Sequence, residues 1–304
     1  MSESPESKVG EVIAGRYRLL KVLGQGGIGA VYLAEPVGGG EQVAVKLLKS
    51  EFTSDRETVA RFDREAKVMT SLVHENIVRA WEFGRLPSGD VAMVMERVEG
   101  ETLRSVYNHT RPLPPWIALE ISRQMGGALR AAHSQGIVHR DLKPENVMVR
   151  RFADGRLVVK VLDFGMARML FGHAGAPLTK DGAVFGTPEY MPPEQAMGKP
   201  VDAQADQYAF GVIVFEMIAG KRPFKAASLL ELLQMQIRQA PPSLRTLDPA
   251  TPEAVSEVVL RMMAKNPAHR FADIGQAVEA LLEAGWPSLR VSHPGLAPRP
   301  SKLP

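Results

Sequence analysis

The chain has no cysteine among its 304 residues. This absence excludes disulfide frameworks, thiol nucleophiles and zinc or iron–sulfur sites with cysteine ligands. An excess of charge of one sign is also missing, because 37 Lys and Arg stand against 34 Asp and Glu, a formal net charge of +3. Such a small and dispersed excess argues against a general nucleic-acid binder. A chain of this length forms two domains, or one two-lobed domain, with a core that needs no disulfide or structural metal.

Long apolar runs are missing as well. The most apolar run, residues 208–219, is short and is interrupted by Glu216, so it predicts a buried core helix and not a membrane span. Residues 1–14 are polar, lack the basic and apolar regions of a secretory signal, and predict a flexible arm. Residues 285–304 are rich in proline and predict a flexible tail. We therefore expect a soluble, cytoplasmic protein.

Short strand patterns fill the first hundred residues. Apolar stretches separated by glycine-rich turns predict an antiparallel meander, and a capping box that starts at Ser54 predicts a helix with Glu65 beside its apolar face. The predicted strands of this region cover 17–23, 30–35, 42–48, 77–83 and 91–96. After Gly100 the patterns are mainly helical, with two short strands at 147–149 and 157–162.

A glycine cluster follows the first predicted strand. Gly24, Gly26 and Gly29 form G-x-G-x-x-G, which alone is a weak signal and is compatible with a flexible turn. Because a second strand follows it, and not a helix, the cluster favours a hairpin whose backbone N–H groups close over phosphates. Lys46, late in the next apolar strand, could simply extend its ammonium to solvent. Glu65 is placed to pair with that ammonium instead.

The most specific run is residues 139–146, which reads H-R-D-L-K-P-E-N. Each residue alone has an ordinary structural explanation, but their joint spacing has none. The tripeptide D-F-G at 163–165 follows a predicted strand, 22 residues after Asp141. At that distance the two motifs indicate one site.

Together these motifs resemble those of the eukaryotic-type, or Hanks-type, serine/threonine protein kinases, over about residues 17–284. Residues 186–194 are similar to the family's substrate-docking loop, and Arg270 resembles the arginine that pairs with the glutamate at the end of that loop, here Glu194. Among the members of this family, the bacterial kinases have the motif sequences most similar to these. The resemblance implies an α+β, two-lobed fold. The small, mainly antiparallel β lobe would cover 15–97, with one prominent helix, and the larger helical lobe 98–284.

The resemblance also implies the reaction, transfer of the γ-phosphate of Mg-ATP to Ser and Thr hydroxyls of proteins. Asp141 would take the hydroxyl proton, Lys143 would neutralise the γ-phosphate, and Thr187 would order the docking loop. Asn146 and Asp163 would bind Mg²⁺, with Mn²⁺ as a substitute. The implied ATP-binding residues are Gly24, Gly26, Gly29, Val31, Ala44, Lys46, Glu65, Met95, Glu96, Val98 and Met148.

Regulation is implied by Arg140, which in this family commonly receives a phosphate from the activation loop. Thr179 has the only hydroxyl between Asp163 and Gly186, so it is the predicted autophosphorylation site, and Asp181 is a permanent negative charge nearby. The implied partners are protein substrates and the chain itself, including a transient homodimer, but no nucleic acid and no membrane span.

The sequence leaves two alternatives to an active protein kinase. A pseudokinase would be a binding module without chemistry, yet Lys46, Asp141, Asn146 and Asp163 are all present. A small-molecule phosphotransferase of related fold would lack the peptide-docking loop. The resemblance further implies a stacked column of Met69, Trp81, His139 and Phe164.

Overall fold

The computed structural model describes residues 4–26, 29–48, 68–164 and 187–285. These residues divide into two compact units, one up to Glu99 and one from Gly100 onward. The first is built mainly on an antiparallel sheet and the second mainly on helices, so the predicted α+β class is confirmed. Three predictions fall largely outside the described residues: the helix over 54–73, of which 68–71 are helical, the segment around Thr179 and Asp181, and the tail beyond Gly285.

The first unit is a six-stranded antiparallel sheet with the order β1-β2-β3-β4-β6-β5. The sheet has two faces, because successive side chains of a strand point to opposite sides. The central strands β4 and β6 are buried on both of them. One face carries a closed apolar cluster that includes Ala30, Tyr32 and Val45. The strands are β1 Val12–Ile13, β2 Tyr17–Gly26, β3 Gly29–Pro36, β4 Val43–Leu48, β5 Ala80–Arg85 and β6 Val91–Glu96.

The N-terminal residues correct one prediction. We expected a flexible arm over 1–14, but residues 5–8 form a 3-10 turn and Val12–Ile13 pairs with β2. The Tyr32 hydroxyl donates to the main-chain oxygen of Pro5 at 3.0 Å, and Lys8 forms an ion pair with Asp90 at 3.0 Å. Composition could not predict this order, because the partners Tyr32 and Asp90 lie far from residues 5–8 in the sequence.

Trp81 corrects a second prediction. It was expected in a buried column, but it is 41% exposed. The pairing of β5 with β6 shifts register between Ala80 and Glu82. A bulge of this kind changes which side chains point to the buried face. The second unit contains the other half of the predicted column, His139 and Phe164. Their rings are in contact, with centroids 4.8 Å apart.

The second unit combines a small sheet with a set of helices. Its strands are β7 Glu101–Thr102, β8 Val147–Arg151 and β9 Leu157–Val161, all antiparallel. Its helices are α1 Leu103–His109, α2 Pro115–Ser134, α3 Pro193–Ala196, α4 Ala203–Ala219, α5 Leu229–Arg238, α6 Leu244–Leu247, α7 Glu253–Met262 and α8 Ile274–Ala284.

Helix α4 is the core of this unit. It begins at Asp202, whose side chain accepts from the Gln204 amide, and ends at Gly220 in the left-handed conformation with φ 69°. Nearly all its side chains are buried, which confirms the core helix predicted from the apolar run. Across the part of the chain described, no helix is long and apolar enough to cross a membrane.

Candidate active site

The run 139–146 folds so that Lys143 and Asn146 both donate hydrogen bonds to Asp141. The Lys143 ammonium donates to Asp141 Oδ2 at 2.7 Å, and the Asn146 amide donates to the Asp141 main-chain oxygen at 2.9 Å. A single 3-10 turn over Pro144–Asn146 makes this possible. In this turn the main-chain amide of Asn146 donates to the Lys143 carbonyl. Asp141, Lys143 and Asn146 therefore form one compact cluster. We call residues 139–146 the catalytic segment.

The catalytic segment is anchored to helix α4 by Asp206. Its carboxylate accepts from the main-chain amides of His139 and Arg140, at 2.8 and 2.9 Å, and from His133 Nε2 at 2.8 Å. Burial works against the charge of Asp206, but the hydrogen bond and charge of His133, with His139, lower its pKa below the ordinary value. Asp206 thus stays ionised and fixes the backbone just before Asp141.

His139 connects the catalytic segment to the D-F-G motif. Its ring Nε2 donates to the Leu162 carbonyl at 2.8 Å, and its Nδ1 accepts from the Asp141 amide at 3.3 Å. The Leu162 amide in turn donates to the Asn146 carbonyl at 2.9 Å. Asp163 is therefore tethered next to the catalytic segment through its neighbour in sequence.

Two residues of this site adopt left-handed backbone conformations, Arg140 with φ 67° and Asp163 with φ 59°. Neither is glycine, so each conformation costs of order 1–3 kcal/mol. The hydrogen bonds of Asp206 and His139 hold the backbone next to these positions. Such strain, held by surrounding structure, is common where side chains must point in a required direction.

Residues 187–194, which we call the docking segment, lie beside the catalytic segment. They begin with Thr187, whose carbonyl accepts from the Tyr190 amide at 3.0 Å, and pass through the 3-10 turn Pro188–Tyr190 into α3. A small cavity is lined by Asp141, Thr187, Tyr190 and Met191 among others. The structure thus brings the predicted Thr187 to the same cavity as Asp141. The predicted pair between Glu194 and Arg270 is confirmed.

Arg104 was not predicted from the sequence, yet it links both segments. Its guanidinium donates to Glu145 at 2.8 Å, to Glu216 at 3.0 Å and to the Tyr190 hydroxyl. The Tyr190 hydroxyl also donates to Glu216, and burial followed by the Glu216 charge raises the pKa of Tyr190. Glu216 inside the apolar run 208–219 was the signal that could have revealed this network, because a buried carboxylate needs a cationic partner.

Four of the predicted ATP-binding residues lie on one face of the sheet in the first unit. Cross-strand pairs put Val31 opposite Lys46, and Ala44 opposite Met95. Directly paired residues in an antiparallel sheet share a face, so these four line the face opposite the apolar cluster. Lys46 is buried there. Glu96 ends β6, Val98 follows two residues later and is half-buried, and Glu65 lies outside the described residues.

The glycines of the G-x-G-x-x-G cluster differ in their surroundings. Gly29 opens β3, and a Cβ there would lie 2.0 Å from the main-chain oxygen of Leu47, so only glycine fits. A Cβ on Gly24 or Gly26 would meet no described atom within 4 Å. Packing therefore explains why position 29 is glycine, but it does not explain Gly24 and Gly26.

Met148 belongs to the second unit. It lies on β8 between Thr102 and Lys160 of the adjacent strands and is half-buried. Its neighbours Val147 and Val149 are buried, so Met148 occupies the opposite, less covered face of the small sheet.

Comparison with known proteins fits this geometry. The profile described as the protein kinase domain matches residues 17–286, most of the chain. The chain belongs to the protein kinase family. The kinase domain of Mycobacterium tuberculosis PknI is similar in structure, with a TM-score of 0.71, 28% identity, and coverage of 91% of this chain and 99% of that one.

Bacterial serine/threonine-protein kinases are among the curated relatives of this kinase-family chain. It is 41% identical to the serine/threonine-protein kinase Pkn1 of Myxococcus xanthus over 95% of this chain and 41% of Pkn1. It is 36% identical to the serine/threonine-protein kinase PrkC of Bacillus subtilis over 94% of this chain and 43% of PrkC. The chain thus spans less than half the length of these two relatives.

Proposed function

We propose that the chain is a serine/threonine protein kinase that transfers the γ-phosphate of ATP to hydroxyl groups of proteins. The observation that carries the proposal is the single cluster of Asp141, Lys143 and Asn146 beside the docking segment. Phosphoryl transfer needs positioning and charge neutralisation more than covalent help. A carboxylate with an adjacent cation, next to a segment able to receive a peptide, supplies both.

In this proposal Asp141 orients the substrate hydroxyl and receives its proton. The hydroxyl oxygen forms a bond to the γ-phosphorus while the bond to the bridging oxygen of ADP breaks. Lys143, 2.7 Å from Asp141, lies close enough to set its positive charge against the transferred group. In the family that the chain resembles, a Lys at this position is typical of kinases that act on Ser and Thr hydroxyls.

The donor chemistry of Asn146 and Asp163 fits magnesium. Asn146 uses its amide nitrogen on Asp141, so its amide oxygen is the atom left to coordinate a metal. The described residues contain no cluster of three or more His, Asp or Glu side chains able to hold a metal alone. Mg²⁺ is typically held by one or two protein oxygens together with substrate phosphates. Magnesium bound there would supply positive charge against the phosphate oxygens.

The sheet face with Lys46 supports the nucleotide half of the proposal. Val31 and Ala44 on that face offer apolar contacts for the adenine ring, and Lys46 offers a cation for the α- and β-phosphates. Gly24 and Gly26 leave room for phosphates to approach the backbone, since nothing described fills the space of a Cβ.

The test measures transfer of labelled phosphate from Mg-ATP to a generic basic protein. Asp141→Asn should retain nucleotide binding but lower turnover by ~10²–10⁴-fold, the range for lost base catalysis. Asp154→Asn is the matched control, because Asp154 lies on the exposed turn between β8 and β9. Equal turnover in Asp141→Asn and wild type contradicts the role of Asp141, and transfer to small alcohols alone would favour a small-molecule phosphotransferase.

We further propose that the chain phosphorylates itself at Thr179, which lies outside the described residues. Arg140, next to Asp141, is the cation suited to receive that phosphate, which would carry ~1.5–2 negative charges.

A further inference from the structure

Gln236 on α5 is fully buried and contacts the docking segment directly. Its side-chain amide nitrogen donates to the main-chain oxygens of Glu189 and Pro188, at 2.8 and 3.0 Å. Both carbonyls belong to the 3-10 turn that follows Thr187. The turn is half-buried, and the Pro188 carbonyl also accepts from the Met191 main-chain amide at 3.3 Å. The Gln236 amide thus links the carbonyls of two consecutive residues of the turn to helix α5.

The amide of Gln236 is itself held from the opposite side. Its Oε1 accepts from the Tyr208 hydroxyl at 2.6 Å, and that hydroxyl accepts from the Lys265 ammonium at 2.9 Å. Carbonyl oxygens can only accept, so the nitrogen of Gln236 must face the docking segment and its oxygen must face Tyr208. The side chain cannot flip without losing all three of these bonds.

This chain of hydrogen bonds ends in the same core that holds the far end of the docking segment. The Tyr208 ring lies 5.2 Å from the Lys265 ammonium and 5.1 Å from the Arg270 guanidinium. Arg270 pairs with Glu194, the last residue of the docking segment. Gln236 therefore fixes the beginning of the segment and Arg270 fixes its end, with Tyr208 between them.

We propose that Gln236 is a positioning residue that sets the conformation of residues 187–190 for binding of protein substrates. It acts through the main chain of the docking segment, which shares a cavity with Asp141. The inference rests on the proposed kinase function for its kinetic consequence. Loss of its two donated bonds should weaken use of protein substrate and leave use of ATP unchanged.

The kinetic test uses two isosteric variants, Gln236→Met and Gln236→Glu, in the full chain. Each should raise KM for a protein substrate about tenfold, the effect of roughly one to two lost hydrogen bonds, with KM for ATP within about twofold of wild type. Gln234→Met and Gln234→Glu are the matched controls, because Gln234 is exposed on the same helix, and should behave like wild type. Tyr208→Phe should give a smaller rise in the same direction.

A second readout does not need catalysis. The Tyr190 and Met191 amides donate within the docking segment, to Thr187 and Pro188, so their hydrogen exchange should be faster in Gln236→Met than in Gln234→Met. If wild type transfers no phosphate, the proposed function fails, and exchange still decides the positioning role. Should Gln236→Met not fold, Gln236→Glu and Tyr208→Phe are measured in its place.

Two results overturn the inference. In the first, both Gln236 variants have the same KM for protein substrate as the wild type, and the Tyr190 and Met191 amides exchange at the wild-type rate. The other is an equal rise of the KM values for ATP and protein substrate, which indicates general loss of structure.

Discussion

Glu194 and Arg270 form a bidentate ion pair although they are 76 residues apart in sequence. The two terminal guanidinium nitrogens of Arg270, Nη1 and Nη2, donate to the two carboxylate oxygens of Glu194, at 2.7 and 2.9 Å. Arg270 also donates to the carbonyls of Ala264 and Gln204, at 2.9 and 2.8 Å. The side chains are 0% and 8% exposed for Arg270 and Glu194. All of the charge is therefore compensated inside the protein, which makes either partner hard to replace.

Arg270→Ala should lower the free energy of unfolding by ~3–5 kcal/mol, because the buried carboxylate of Glu194 loses its partner. Thermal and urea unfolding measure the change. Arg245→Ala is the control, since Arg245 pairs with Glu253 at the surface, and should change stability by about 1 kcal/mol or less. Equal stability of Arg270→Ala and Arg245→Ala would show that the buried pair does not brace the fold.

Gly29→Ala and Gly24→Ala should separate a packing role from a ligand role. The first places a Cβ 2.0 Å from the Leu47 carbonyl oxygen, so it should clearly lower the melting temperature. The second meets no described atom, so it should leave the melting temperature near wild type and raise KM for ATP. Calorimetry and ATP titration measure the two effects. A similar loss of stability in both variants would contradict this division.

Stability should depend on pH through Lys265. Burial, and then the charge of Arg270, lower the pKa of Lys265 from 10.5 to about 7. Between these values the unfolded chain binds more protons at this residue than the folded chain, so the free energy of unfolding should rise with pH from about 7 to 10.5. Lys265→Met should remove this part of the slope, whereas Lys225→Met, at an exposed position, should retain it. Urea unfolding at several pH values provides the comparison, and equal slopes in the two variants would refute the prediction.

Thr179 should gain phosphate when the protein is incubated with Mg-ATP, and Thr179→Ala should lower activity, because Arg140 would lose the charge that orders the loop. Mass spectrometry and phosphate transfer measure the two effects. The catalytically impaired Asp141→Asn should remain unmodified when incubated alone. An unmodified Thr179 in a fully active enzyme would contradict the proposed switch.

The local motifs could be read from the sequence because their members are close together in the chain. Asp141, Lys143 and Asn146 lie within six residues, and one 3-10 turn is enough to join them. The sheet face with Val31 and Lys46 follows from strand alternation. Trp81 shows the limit of that rule, because a single register shift in β5 changed its face.

By itself, the sequence determined five of the six strands of the first unit, the buried helix α4, the catalytic segment and the family, but it missed β1. Only the tertiary structure revealed the contacts of Gln236, Tyr208 and Lys265, which meet across 28 and 57 residues of sequence. A glutamine on an amphipathic helix carries no local sign of its partner, since the partner is a main-chain carbonyl that any residue could supply. Which side chain satisfies a buried carbonyl is decided when the helices pack, and packing depends on the whole chain.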